Sequence, residues 1–305
     1  MNNIKKQNYK RKSIFPRKMK RKLIKQGAGG FTVTLPIEWV RAHNLSGEEE
    51  VTIEESRGNL LIAAEYQKQE RAMTFEIKNH NDSRIRTILA SAYRRGYTTI
   101  TLRSTEDFSY ASMQRIVDTL LGLVIVKQSK REVIIKNILE VDTATLASVL
   151  QKFFTSITVL QEEVLENMKE KKGAKEAEDL RISILKLRDY CQLIINKTAF
   201  QNDKCYEYYT LVFLAEKIAG CYVDMGRTKK AWSNHENELL RKKTDDFAAL
   251  QSALFANKLE EAMRINTMLS DVRKKELKSV PVPLSMHTIS EYLFALSSHV
   301  VALLI

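Results

Sequence analysis

Residues 21–65 alternate short β-prone runs with turn signals, and this pattern is the strongest constraint on what the chain can fold into. The runs 21–26 and 31–35 flank the sequence Gly-Ala-Gly-Gly, which supplies the positive φ that a hairpin connection needs. Pro36 suits the first turn of the short helix that follows. Two further runs within residues 51–63 predict a second hairpin. The pattern therefore predicts a ββαββ unit.

A unit of this size buries little apolar surface by itself, so we expect it to dimerise. Residues 22–55 read KLIKQGAGGFTVTLPIEWVRAHNLSGEEEVTIEE, with a basic first strand, a glycine turn, a Thr-Leu-Pro entry to the helix and an acidic third strand. In these features the segment resembles the AbrB, SpoVT and MazE swapped-hairpin family, in which two copies interlock into one DNA-binding barrel. The resemblance implies a swapped-hairpin β-barrel domain at residues 21–66. A generic small barrel without a nucleic acid partner is the alternative.

The positive charge is concentrated at the start of the chain. The formal balance is 49 basic and 37 acidic residues, or +12, and the first 36 residues contain 11 basic residues and no acidic one. The remaining 269 residues therefore carry only +1. Such local concentration is typical of a polyanion-binding surface, because each neutralised phosphate releases counterions. Residues 1–20 have the composition of a disordered basic arm.

Nucleic acid is the partner that this charge pattern favours. The candidate DNA contacts combine basic side chains of the arm and first strand with two threonine hydroxyls of the second strand. They are Lys10, Arg11, Lys12, Arg17, Lys18, Lys20, Arg21, Lys22, Lys25, Thr32 and Thr34. If the first strand alternates regularly, Arg21 and Lys25 share a face and Lys22 lies on the other. A solvated tail without a partner is one alternative, and Met19 is an alternative start.

An anionic membrane surface is the competing partner for the basic arm. The arm has few large apolar side chains and no sustained amphipathic period, which disfavours this reading. No apolar core follows the first charges, and no run of about 18 apolar residues is present, so we expect a cytoplasmic protein without membrane insertion. Cys191, Cys205 and Cys221 are scattered without a CxxC motif and are interpreted as reduced thiols.

Residues 71–140 predict a small α/β domain. β-prone runs at residues 73–77 and 98–102 alternate with helical patterns, and two further runs at 123–126 and 133–138 follow. The predicted order is βαβαββ. This order favours a split-βαβ arrangement with helices on one face of a sheet.

From residue 142 to residue 305 the apolar period is helical throughout. One stripe steps by three and four residues from Leu146 to Met168, and five further helical patterns follow, the last at residues 285–305. Aligning residues 215–223 with residues 293–301, 78 positions later, keeps apolar positions in register. The sequence therefore predicts two repeats of three helices.

This helical half resembles PhoU, the phosphate-uptake regulator built from two three-helix repeats. The resemblance rests on the layout, on LRDYC at residues 187–191 and on EKIAGCY at residues 216–222. The whole arrangement from about Lys20 resembles the archaeal PhoU-related regulators. The expected fold class is thus multidomain α+β: a barrel, a βαβαββ segment and an all-α domain of six helices.

PhoU-like repeats commonly bind metal clusters through carboxylates, and here the resemblance is incomplete. Gly220 and Ser298 stand where the family motif has Asp, so neither repeat has an obvious ligand set for hard or soft cations. The remaining candidates for a metal ion are Glu178, Asp179, Glu216 and His299. Solvated surface acids are the alternative for the carboxylates, and no cofactor is firmly indicated.

No catalytic motif is present. The Gly-Ala-Gly-Gly sequence is followed by neither Lys-Ser/Thr nor a helix, and the five histidines are dispersed, so we expect no enzyme activity. The sequence predicts a homodimeric transcriptional regulator linked to phosphate uptake or phosphate signalling. The first alternative is a PhoU-like adaptor that binds a phosphate transporter or a kinase, with the barrel used only for dimerisation. An antitoxin-like partner protein is a third alternative, which the long additional domains disfavour.

Overall fold

The computed structural model describes residues 19–27, 29–47, 49–56, 59–64, 71–78, 81–170, 175–198, 203–228, 232–276 and 284–305. The chain divides into two compact units, Met1–Gln69 and Glu70–Ile305. The described residues are mixed α+β, as the sequence predicts, with nine α-helices and three small sheets. Most of the arm at residues 1–20 lies outside the described residues. None of the described helices is long and apolar enough to cross a membrane.

The first unit has the predicted ββαββ order. Its elements are β1 (Ile24–Gln26), β2 (Gly30–Thr32), α1 (Ile37–Ala42), β3 (Val51–Ser56) and β4 (Asn59–Ala64). β1 pairs with β2 and β3 with β4, both antiparallel. The first two strands are shorter than predicted. The described residues of this unit form two separate two-stranded sheets and no closed barrel, because each sheet keeps two free edges within the single chain.

Turn chemistry places these elements. Gly27 has φ +57°, a conformation that glycine adopts without the steric cost of a Cβ atom, and it turns the chain between β1 and β2. The Pro36 carbonyl accepts hydrogen bonds from the backbone N–H groups of Trp39 (2.9 Å) and Val40 (3.0 Å), so α1 begins directly after the proline as predicted. Asn44, with φ 54°, follows the end of the helix.

The second unit begins with a four-stranded sheet and two helices. Its strands are β5 (Ala72–Ile77), β6 (Thr99–Ser104), β7 (Leu123–Gln128) and β8 (Glu132–Asn137), and its first helices are α2 (Asp82–Arg94) and α3 (Tyr110–Val117). The βαβαββ order is therefore confirmed. The strand order is β5-β6-β8-β7, with β5 parallel to β6. Because β5 and β6 are direct neighbours, the predicted split-βαβ arrangement is wrong.

One face of this sheet carries the core. Ile100 and Leu102 of β6 pair with Ile135 and Val133 of β8 and are buried on the same face. They share a core with buried residues of α2 and α3, which places both helices on that face, as predicted. The Asn81 side chain caps α2 by accepting a hydrogen bond from the Arg84 backbone N–H at 2.8 Å.

Six helices complete the second unit. They are α4 (Leu146–Glu170), α5 (Lys175–Thr198), α6 (Cys205–Gly226), α7 (Asn234–Phe255), α8 (Leu259–Glu276) and α9 (Leu284–Leu304). Each coincides with one of the six helical patterns in the sequence. A capping box fixes the start of α7, where Ser233 and Glu236 bond reciprocally to each other's backbone N–H.

The helix contacts follow a two-fold pattern. Within α4–α6 each helix contacts the other two, and within α7–α9 the same is true. Between the two sets, the corresponding helices pack together, α6 on α9 and α4 on α7. One continuous apolar core runs through all six helices. Each set of three consecutive helices thus packs as a group. The internal duplication into two three-helix repeats stays a prediction from the sequence.

The α/β part and the helical part of the second unit are joined by α2 and α5. Leu193 of α5 is fully buried in the core of the α/β part. The Asn196 side chain, also on α5, donates a hydrogen bond to the Arg94 carbonyl at the end of α2 at 2.9 Å. Helix α5 therefore contributes to both the α/β part and the helical part.

Candidate functional site

The candidate DNA contacts that the structure describes lie on the surface of the first unit. Lys20, Arg21, Lys22, Lys25, Thr32 and Thr34 are all exposed. Lys10, Arg11, Lys12, Arg17 and Lys18 lie outside the described residues. The described part therefore presents four basic side chains and two hydroxyl groups to solvent.

The hairpin register sorts these side chains by face. Lys25 lies opposite Phe31, whereas Thr32 lies opposite Ile24. Because directly paired residues of an antiparallel ladder project to the same face, Lys25 and Thr32 project to opposite faces of the hairpin. Arg21 precedes β1, so the strand alternation that would place it with Lys25 does not extend to it.

Apolar side chains of the first unit are unusually exposed. Among the residues of this unit whose exposure the structure describes, none is buried, and Leu23, Phe31 and Leu60 are 69%, 65% and 67% exposed. Ile24, Ile37 and Ile53 are each more than half exposed as well. An isolated two-stranded hairpin is marginal in water, and two such hairpins with their apolar side chains in solvent do not provide a core.

The two hairpins carry opposite charge. The first unit has Lys22 and Lys25 in and before β1, whereas residues 48–55 contain five glutamates. Glu49 accepts hydrogen bonds from the Ser46 backbone N–H at 2.6 Å and from the Gly47 backbone N–H at 3.1 Å. The Ser46 backbone hydrogen bond is the main reason that the pKa of Glu49 falls to about 2. Glu49 therefore stays ionised down to a pH of about 2.

The candidate metal ligands are not brought together. Glu178 pairs with the Arg227 guanidinium (3.0 Å), Asp179 is exposed, and Glu216 pairs with Arg181. In the described part of the chain, no three His, Cys, Asp or Glu side chains are placed to hold one metal ion. The carboxylates of Glu178 and Glu216 are occupied by guanidinium groups instead.

His299 has a different environment from these carboxylates. Its ring lies 6.1 Å from the Tyr206 ring in an edge-on arrangement. Burial lowers the pKa of His299, and the nearby Glu207 carboxylate opposes this shift.

A charged network that sequence reasoning missed lies where α2, α5 and α6 meet. Asp189 of α5 is fully buried and accepts hydrogen bonds from three guanidinium groups. Arg86 Nη2 reaches Asp189 Oδ2 at 2.7 Å, and Arg94 Nη1 reaches Oδ1 at 3.0 Å. Arg188 Nη2 and Nε reach the same Oδ1 at 2.8 and 3.1 Å. Asp189 thus joins α2 of the α/β part to α5 of the helical part.

A second buried carboxylate continues this network into α6. Glu216 is 2% exposed, and its Oε1 accepts a hydrogen bond from Arg181 Nη2 and lies 3.7 Å from Arg188 Nη1. Its Oε2 has no hydrogen-bond partner in the described residues and lies 3.7 Å from Lys217 Nζ. Arg188 therefore stands between both carboxylates.

The five cations of this network are called the cation layer below, because they lie outside the two carboxylates. Their side chains are 16% to 42% exposed, whereas the side chains of Asp189 and Glu216 are 0% and 2% exposed. The cation layer consists of Arg86, Arg94, Arg181, Arg188 and Lys217.

Gly220, one of the two positions at which the sequence lacks an expected Asp, lies against an arginine of the network. A Cβ atom at Gly220 would lie 3.2 Å from Arg181 Nη2 and 3.7 Å from its Cζ. The guanidinium group thus lies directly against the backbone of α6 and occupies the space that a longer side chain would take. A sequence signal for this network did exist, since Asp189 interrupts the buried face of α5 between Ile184 and Cys191.

The corresponding positions of the second set of three helices have different contacts. The 78-residue offset places Ser298 at the position of Gly220 and Phe294 at that of Glu216. The Asn266 side chain of α8 donates hydrogen bonds to Ser297 Oγ at 2.8 Å and Ser298 Oγ at 3.1 Å. The Arg273 guanidinium lies 4.4 Å from the centre of the Phe294 ring. The same guanidinium donates a hydrogen bond to Glu291 Oε2 at 3.1 Å, so amide and hydroxyl contacts stand at Ser298 beside an arginine and carboxylate pair.

A separate buried ion pair lies inside the second repeat. Lys243 of α7, 3% exposed, donates hydrogen bonds to Glu276 Oε1 at 2.6 Å and to the buried Ser290 Oγ. His287 Nδ1 lies 4.0 Å from Glu276 Oε2. Burial raises the pKa of the neighbouring Asp246, and Lys242 and Lys243 oppose the shift. This cluster links α7, α8 and α9.

Comparison of the chain with protein-family models, with curated protein sequences and with solved structures gives no match.

Proposed function

We propose that this protein is a homodimeric DNA-binding transcriptional regulator, in which the basic arm and the first unit bind DNA. The observation that carries the proposal is the charge distribution: 11 of the 12 net positive charges belong to the first 36 residues, which contain no acidic residue. The described basic side chains of this segment, Lys20, Arg21, Lys22 and Lys25, are all exposed. Exposed, unpaired positive charge at high local density is what binding to a phosphate backbone requires.

The exposed apolar surface of the first unit supports dimerisation as part of this function. Its hairpins bury none of the described apolar side chains, so the unit needs a partner surface to form a core. A second copy satisfies this need with complementary charge, because the first hairpin is basic and residues 48–55 are acidic. The proposed dimer is an interlocked barrel with two basic arms.

The second unit supplies the regulatory part of the proposal. Its two sets of three helices share one core, and α5 also enters the core of the α/β part. In a packed assembly of this kind, a shift of one helix can be transmitted to both the α/β part and the helical part. The link to phosphate uptake or phosphate signalling comes from the resemblance to PhoU.

Salt dependence of DNA binding by the full chain tests the proposal. If five to eight phosphates are neutralised, log K should fall against log salt with a slope of roughly −5 to −7. Removing residues 2–18 should weaken binding to all sequences alike and make the slope shallower, since phosphate contacts position a protein without reading bases. An unchanged slope after truncation would contradict the role of the arm.

A double substitution tests the hairpin. Arg21→Ala with Lys25→Ala should abolish sequence-specific binding while the dimer persists in sedimentation. The smaller effect expected of Lys22→Ala rests on the sequence pattern alone, because residues 21 and 22 both precede β1. Lys274→Gln with Lys275→Gln on α8 removes the same charge from the second unit and is the matched control. If Lys22→Ala alone abolishes specific binding, the assignment of the DNA-facing side chains is wrong.

The adaptor alternative predicts a different outcome of the same experiments. In that case the first unit only dimerises, and the second unit binds a phosphate transporter or a kinase. Genomic DNA captured with the purified full chain should then contain no enriched sequence, although sedimentation still reports a dimer. Enrichment of defined operator sequences would support the regulator.

A further inference from the structure

The charges at the junction of α2, α5 and α6 are arranged in two layers. The two carboxylates, Asp189 and Glu216, are buried, and the five side chains of the cation layer lie between them and solvent. Five positive and two negative groups leave an excess of three positive charges. Anything that approaches this surface from solvent therefore meets guanidinium and ammonium groups before it meets a carboxylate.

The cations converge most closely around Glu216. Arg181 Nη2 and Arg188 Nη1 both approach the same oxygen, Oε1, while Lys217 Nζ lies 3.7 Å from Oε2. Three cationic groups are thus arranged around a single carboxylate, whose two oxygens cannot use all of their N–H donors. The next carboxylate along α6, Asp224, lies 3.3 Å from Arg227.

The chemistry of these donors selects the ligand class. Arginine offers a planar set of N–H groups that matches the oxygens of phosphate and carboxylate, and lysine adds a point charge. A partly buried position strengthens each attraction, because the local dielectric constant is lower than in water. A compact anion with several oxygens and two negative charges suits this arrangement best.

We propose that the cation layer binds a small, multiply charged oxyanion of the size and charge of inorganic phosphate, at the surface formed by Arg181, Arg188 and Lys217. The bound anion neutralises most of the excess positive charge. Arg188 also binds Asp189, which holds α2, so occupancy of the site is coupled to the junction between the α/β part and the helical part. This site lies in the second unit and does not depend on DNA binding.

Two substitutions with opposite expected effects on phosphate affinity test the proposal in the full chain. Calorimetric titration with inorganic phosphate, against chloride at equal ionic strength, should show saturable binding. Lys217→Gln removes one cation and should weaken phosphate binding about five- to tenfold, as expected for one charge near a protein surface. Glu216→Gln removes the competing carboxylate and should tighten phosphate binding. If the network only stabilises the fold, the two substitutions should not change phosphate affinity in opposite directions.

A matched control separates this site from the basic arm, which also attracts anions. Arg227→Gln removes an exposed cation whose partners are two carboxylates, Glu178 and Asp224, and it should leave phosphate affinity unchanged. If Lys217→Gln binds phosphate as the unaltered chain does, the anion is held elsewhere and the proposal is wrong. Absence of saturable binding would overturn it equally. Should Glu216→Gln fail to fold by circular dichroism, Lys217→Gln decides, because the Lys217 side chain is 42% exposed.

Discussion

Asp189→Asn should destabilise the second unit by about 3 kcal/mol, near the lower end of the range for breaking a buried ion pair. The carboxylate is fully buried and accepts four N–H groups from Arg86, Arg94 and Arg188. The amide has the same shape but no charge, so it creates no cavity. It leaves Arg86 and Arg94 without their described counter-ion, whereas Arg188 keeps Glu216 Oε1 at 3.7 Å. The partial exposure of the three guanidinium groups, 16% to 23%, lets water compensate part of the loss.

Urea unfolding with far-ultraviolet circular dichroism measures this change. Hydrogen exchange then locates the change. Relative to the unaltered chain, Asp189→Asn should speed amide exchange more in α2 than in α9, because Arg86 and Arg94 hold α2 against α5 through Asp189. Glu178→Gln is the control, since its pair with Arg227 is about half exposed and should contribute about 1 kcal/mol or less. A change below about 1 kcal/mol for Asp189→Asn, or unaltered exchange in α2, would refute the reasoning.

Three smaller predictions concern local geometry. Gly122→Ala should lower the free energy of unfolding by about 1–3 kcal/mol, because Gly122 has φ +77° and a Cβ atom there would overlap Leu139 Cβ; thermal unfolding measures the change. The carboxyl of Glu49 should titrate by nuclear magnetic resonance with a pKa of about 2, so its contribution to loop stability, complete above the ordinary pKa of 4.5, is lost as pH falls through about 2. Ser46→Ala should raise that pKa, and a midpoint near 4.5 in the unaltered chain would contradict the loop geometry. Burial raises the pKa of the Cys191 thiol to about 12, so iodoacetamide at pH 8 should modify it only after unfolding; rapid modification of the folded chain would contradict its burial.

Periodicity predicted the helical half of the chain well. Each of the six helices, from α4 to α9, coincides with an apolar stripe, because a long amphipathic helix repeats its signal over many turns. The internal duplication at the 78-residue offset stays a prediction. Strand positions in the α/β part were predicted within a few residues. The order of the strands in the sheet was not predicted. The alternation of apolar residues in β5 to β8 indicates which face of each strand is buried, but not which strand lies next to it.

The first unit illustrates a different limit. Its ββαββ order follows from local turn chemistry at Gly27 and Pro36, and these signals were sufficient. Barrel closure depends on what pairs with the free strand edges, and a single chain does not contain that information. Phe31 and Leu60, 65% and 67% exposed, are the side chains that the proposed dimer would cover.

The charged network at Asp189 was the main feature that sequence reasoning missed. Its members come from helices α2, α5 and α6, and Arg86 and Asp189 are 103 residues apart. No local period links them. The predicted metal ligands failed for a different reason. Glu178 and Glu216 were considered as carboxylates available for a metal ion, but each already has an arginine partner. Gly220→Asp would therefore place a new carboxylate against Arg181 rather than restore a metal ligand.

The two sets of three helices mean that one polypeptide contains two solutions to the same packing problem. At one junction Arg181 lies against Gly220, and at the other Asn266 lies against Ser298. Because both junctions fold in the same molecule under the same conditions, the junction at Asn266 and Ser298 is an internal reference for the one at Arg181 and Gly220. Chimaeras that exchange these residues between the two sets of helices need no foreign sequence, and they would separate what the helices require for packing from what the charges of the first set contribute.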